Sequence, residues 1–136
     1  MNRTMTCIQC PKGCRLTVEI QGESVASVAG NGCELGPVWA KKEVEDPVRT
    51  LTTSVRVLRG HSDLVSVRTS GPIPRRLLAE ALAIAKELRI EAPVTLGRVV
   101  AENLAGTGVS LVATRGVDRL VEFSARKTPG VPTGTP

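Results

Sequence analysis

The chain has 136 residues, of which 41% are hydrophobic and 23% charged, and a net charge of +5. That is the size of one domain with a core of its own, so its cysteines are not needed to staple a miniature fold. Trp39 and Phe123 are the only aromatic residues, which argues against base-stacking platforms for nucleic acid. The basic residues form no block of like charge, so a nucleic-acid partner is not expected.

Met1 to Thr6 carries no apolar run, and no secretory leader is expected there. No stretch approaches the roughly 18 apolar residues of a membrane span. The expectation is a cytoplasmic, reducing setting, where clustered cysteines bind metal more often than they form disulfides.

The four cysteines begin with Cys7-Ile8-Gln9-Cys10-Pro11-Lys12-Gly13-Cys14. Leu16 to Ile20 then alternates apolar and polar residues, as a half-buried strand does, and Gln21-Gly22-Glu23 supplies a turn. Ser24 to Ala29 reads as a returning strand with imperfect alternation, and Gly30-Asn31-Gly32 breaks the chain just before Cys33. Gly36-Pro37 predicts the opening of a short helix through Glu43, which Asp46-Pro47 ends. Thr52–Leu58 and Leu64–Thr69 predict a second hairpin around the Arg59–Asp63 turn.

The strongest helix signal runs from about Pro74 to Arg89, with Leu77, Leu78, Ala81, Leu82, Ala85 and Leu88 at helical spacing and Pro93 beyond it. A shorter helix is predicted over Leu96–Leu104, and a buried strand over Val109–Ala113. From Glu122 onward the Pro/Gly/Thr-rich sequence predicts a disordered tail. The expected fold class is α+β: small antiparallel hairpins with one long and one short helix behind an N-terminal four-cysteine loop. Residues 1–50 form the cluster-binding segment and 51–121 the α+β remainder of the same domain, ahead of the tail at 122–136.

The cysteine spacing is C-x2-C-x3-C-x18-C, a triplet with one distant partner. Three thiolates from one loop can wrap one face of a cubane while a fourth returns from elsewhere, which suits a [4Fe-4S] cluster. The hairpin provides that return, because Cys14 precedes the outgoing strand and Cys33 follows the incoming one. Zinc is the alternative, although four-cysteine zinc sites usually come as two separated pairs. Such a zinc module would serve protein or nucleic-acid interaction. Lys12 and Arg15 lie beside thiolates whose negative charge they would offset.

The segment Cys7–Gly36 resembles the N-terminal cluster region of molybdopterin-dependent oxidoreductases, in which four cysteines hold a [4Fe-4S] cluster. Here Leu35 stands where that family often carries lysine, and the chain is too short for pterin domains. A wider resemblance rests on CIQCPKGC, GNGCELG, the run from Glu45 to Thr53, GPIP and VATRGV. These are similar to the small CXXC motif-containing proteins, a family of unknown function whose members accompany FAD-dependent, glycerol-3-phosphate dehydrogenase-like oxidoreductases. The resemblance implies an accessory electron-transfer subunit, non-catalytic by itself, with Cys7, Cys10, Cys14 and Cys33 as ligands and an FAD-dependent subunit as partner.

Other candidates read as structural. His61 sits in a predicted turn, Trp39 is expected to pack in the core, and Asp46 and Arg49 flank Pro47 as a surface pair. No residue set supports Ser/His/Asp catalysis, and the glycines match no nucleotide-binding pattern.

Overall fold

The computed structural model describes residues 1–121, and the tail expected over 122–136 lies outside the described residues. The fold is α+β. The first strands are β1 (Asn2–Thr6), β2 (Arg15–Gln21) and β3 (Ser24–Ala29), joined in an antiparallel sheet of order β1-β2-β3. In β2 the alternation puts Leu16 and Val18 at zero exposure, while Arg15, Thr17 and Glu19 face solvent. The uneven pattern of β3 has a structural cause: Glu19 pairs with Ser27 but Ile20 with Val25, so Ala26 is the extra residue of a bulge.

Helix α1 (Leu35–Glu45) packs over β3 and β2. Its buried residues, Gly36 and Ala40, are small, which lets the helix lie close to Leu16. Leu16, Val18, Ala40 and Cys7 form one compact core.

A short ladder carries the chain into the larger half. β4 (Val48–Arg49) pairs with a later strand, as described below, and is followed by β5 (Thr52–Leu58) and β6 (Leu64–Thr69), the predicted hairpin. β7 (Ile73–Pro74) returns to β4 with Val48 opposite Pro74 and Arg49 opposite Ile73. The Arg75 N–H reinforces this join by donating to the Pro47 carbonyl at 2.7 Å.

One turn of 3-10 helix at Arg75–Leu77 leads into α2 (Leu78–Glu87). Ala81 and Ala85 form the buried stripe, with Leu78, Ile84 and Leu88 beside it, whereas Leu82 of the predicted apolar face is 43% exposed. The helix stops short of Pro93. β8 (Arg89–Glu91) instead runs parallel to β5, and Ile90 opposite Val57 enters the core. The Arg89 guanidinium donates to the carbonyls of Lys86 and Leu88 and so satisfies the helix end.

The helix expected over Leu96–Leu104 does not form. β9 (Val99–Ala101) occupies that stretch and pairs with β10 (Leu111–Ala113), completing a sheet of order β8-β5-β6-β10-β9. The adjacent β-branched Val99 and Val100 favour extended backbone. Gly97 at φ +83 and Asn103 at φ +46 break helical geometry on either side. A 3-10 turn at Leu104–Gly106 follows and buries Leu104.

The larger core joins Val55, Val57, Val65, Val67 and Leu111 of the sheet to the alanine stripe of α2. Its one buried polar residue, Thr69, is satisfied because Oγ1 accepts the Leu51 N–H at 3.0 Å. Leu111 is fully buried, and Leu111→Ala is expected to cost about 2–5 kcal/mol of stability through lost contacts and the cavity left behind. Urea unfolding checks this, and a loss under about 1 kcal/mol would mean that this sheet does not carry the fold.

Candidate metal centre

The β1–β2 register brings two cysteine positions face to face. Its last ladder pair is Thr6 opposite Arg15, and the Cys7 N–H then donates to the Cys14 carbonyl at 2.8 Å. Cys7 and Cys14 thus close the neck of the loop formed by residues 8–13. Cys7 points into the small core at 6% exposure, Cys14 is half-buried, and Cys10 lies exposed on the loop.

The β2–β3 pairing returns the chain to the same end. Beyond Thr17 opposite Ala29, Gly30 adopts φ +88, and a Cβ there would stand 2.3 Å from the Arg15 carbonyl oxygen. Only glycine permits this approach. A Cβ on Gly32 would lie 2.9 Å from the Lys12 Nζ and 3.1 Å from the Cys14 Sγ. The residue before Cys33 therefore packs against both the thiol of Cys14 and the lysine of the cysteine loop. Cys33 itself is exposed and stands just before α1, at the positive end of that helix's dipole. The Asn31 Nδ2 holds the turn by donating to the Cys33 carbonyl at 3.1 Å.

All four cysteines are free thiols. The main chain gathers Cys7, Cys14 and the Cys33 turn at one end of the small sheet. The side chains are a different matter: among the described residues, no three His, Cys, Asp or Glu groups are arranged to hold a metal ion as they stand. Thiols are the donors that soft metal ions and iron–sulfur clusters take, and here Cys7 and Cys14 lie together while Cys10 and Cys33 are exposed.

A groove of about 610 Å³ opens beside the cysteine loop. It is lined by Ile8 and Gln9 of that loop, by Leu35, Val38 and Trp39 of α1, and by Val48 of β4 with Pro72, which precedes β7. Trp39 packs against the small core, as expected, and its remaining surface lines this groove. Sequence reasoning missed Ile8, Leu35 and Val38 as surface features. For Leu35 and Val38 the signal was a second apolar stripe on α1, Leu35-Val38-Trp39, offset from the buried stripe of Gly36 and Ala40.

The ion pairs at the groove also differ from expectation. Arg49 does not pair with Asp46 but grips Glu43 with both terminal guanidinium nitrogens, Nη1 donating to Oε2 at 3.0 Å and Nη2 to Oε1. Asp46 meets Arg76 at 3.5 Å. His61 is an exposed turn residue, as expected, and its Nδ1 accepts the Asp118 N–H at 2.9 Å.

A family model described as a protein of unknown function, DUF1667, matches residues 34–115. The chain belongs to that family. The DUF1667 match begins at Glu34, immediately after Cys33, so it takes in α1 and the larger sheet but none of the cysteines. No curated protein matches the chain. Among solved structures, the NMR structure of Clostridium perfringens protein CPE0013 is similar, with 23% identity and a TM-score of 0.50. The likeness covers 53% of this chain and 86% of that one, and at this identity it concerns the fold alone.

Two outcomes follow. Gly30→Ala is expected to cost about 1–3 kcal/mol in backbone strain alone and to push the Cys33 turn off Arg15, which chemical denaturation and thiol accessibility measure together. The Glu43 carboxyl is held below its ordinary value of 4.5, first by the hydrogen bonds from Arg49 and then by the charges of Arg49, Arg3 and Arg75, against an opposing effect of burial. A carboxyl lowered by folding stabilises the protein above its unfolded value, and that contribution is lost as pH falls through its folded value. Wild type is therefore expected to be more stable than Glu43→Gln at neutral pH, with the gap closing below about pH 4.5.

Proposed function

We propose that Cys7, Cys10, Cys14 and Cys33 ligate a [4Fe-4S] cluster and that the protein is the electron-transfer subunit of an FAD-dependent oxidoreductase of the glycerol-3-phosphate dehydrogenase-like kind. The observation that supports this most is the convergence of the Cys7–Cys14 pair with the Gly32–Cys33 turn at one end of the small sheet. The triplet-plus-one spacing adds the preference for iron–sulfur over zinc. When bound, the cluster supplies one-electron transfer between the partner's flavin and a further carrier.

The chain's own residues hold the four thiolates, keep Cys7 dry within the Leu16 core and offset negative charge with Lys12 and Arg15. No nucleotide or flavin motif is visible in the sequence, so the substrate chemistry belongs to the partner. The FAD association and the cytoplasmic setting come from the resemblance and from cysteine usage, and they stand as part of this proposal.

Anaerobic purification followed by iron, sulfide and zinc analysis tests the reading. The expected result is brown protein with equal iron and sulfide, bleached by a chemical reductant. Conversion of any one cysteine to serine is expected to lower iron content severalfold. Colourless protein holding zinc without iron would replace the reading with a structural zinc module. Co-purification with a flavoprotein separates an electron-transfer role from a cluster that only holds the fold.

A further inference from the structure

We infer that the groove beside the cysteine loop is the docking site for an apolar, acidic segment of a partner protein. Its walls expose unusual apolar surface: Ile8 is 72%, Leu35 57% and Val38 69% exposed, and all three line the same groove as Trp39, Val48 and Pro72. Apolar surface gathered in one concavity marks an interaction site more strongly than the same residues scattered.

Charge selects the occupant. The carboxylate of Glu43, which lines the groove, is already committed to Arg49. Lys42 lines the groove and makes no ion pair among the described residues. With Arg49 and Glu43 paired, Lys42 leaves the groove's lining one cation in excess, and a segment bringing a carboxylate beside apolar side chains complements both features. A second copy of the chain carries a net charge of +5, and residues 122–136 set Glu122 against Arg126 and Lys127. Both are mismatched to this lining.

Position gives the site its meaning. Ile8 and Gln9 lie between two of the cysteines, so an occupant touches the same loop that holds Cys7 and Cys10. The inference rests on the electron-transfer reading only for the partner's being a protein, and it would put that partner directly against the cluster-bearing loop.

Trp39, the only tryptophan, reports on the groove whichever metal the protein holds. The test titrates the full as-purified chain with a synthetic amphipathic leucine/glutamate peptide and with its leucine/lysine counterpart. The leucine/glutamate peptide is expected to shift Trp39 emission to the blue and shield it from acrylamide. Val38→Glu is expected to weaken that binding by about tenfold, and Lys42→Glu to weaken it while strengthening the leucine/lysine response. Equal responses to both peptides, or none up to about 1 mM, would overturn the proposal. So would emission already blue-shifted in the isolated chain that dilution or Phe123→Ala moves to the red, which would assign the groove to a second copy or to the chain's own C-terminal residues. None of these outcomes depends on the iron analysis, so either idea can fail alone.

Discussion

The antiparallel register of β2 against both of its neighbours sets everything at the cysteine end of the molecule. On one side it puts Cys7 opposite Cys14, with a main-chain hydrogen bond closing the loop between them. On the other it returns the chain past Arg15, where the missing side chain of Gly30 lets the backbones meet. A slip of β2 by one residue would turn Leu16 and Val18 from the core to solvent. The same burial that stabilises the small sheet therefore fixes where the cysteines stand.

This arrangement leaves little redundancy. The small core consists of Leu16, Val18, Ala40 and Cys7, with half-buried neighbours around it, so a proposed metal ligand is also a core residue. Filling the site and folding this half would be coupled, as they are wherever thiolates gather around a metal. The larger sheet stands on a separate core of aliphatic residues. It meets the small half through the β4–β7 ladder, the Glu43–Arg49 grip and the Asp46–Arg76 pair. The groove opens at that join, between elements from both halves.

Much of this was legible in the residues. The alternation of Leu16-Thr17-Val18 and of Thr52–Leu58 with Leu64–Thr69 gave the two hairpins, and the alanine-rich stripe gave α2. β1 was hidden because Asn2–Thr6 is an edge strand with little buried surface, so its sequence carries almost no alternating signal. β8 is three residues long and earns its place by a parallel contact with β5 far back in the chain, which no local pattern announces. The Leu96–Leu104 stretch misled because its apolar spacing fits a helix, while Gly97, Asn103 and the need of β10 for a partner favour a strand. At the site, the cysteine spacing and hairpin logic anticipated the converging backbone. The groove was invisible because its walls come from a loop, a helix and a ladder separated in sequence.

The central claim is that the four cysteines share one iron–sulfur cluster. The most direct measurement is anomalous diffraction at the iron and zinc absorption edges from crystals grown without oxygen. Iron density enclosed by Cys7, Cys10, Cys14 and Cys33, with all four sulfurs directed at it, is the expected result. A zinc signal there without iron, or iron density that leaves Cys33 facing solvent, would contradict it.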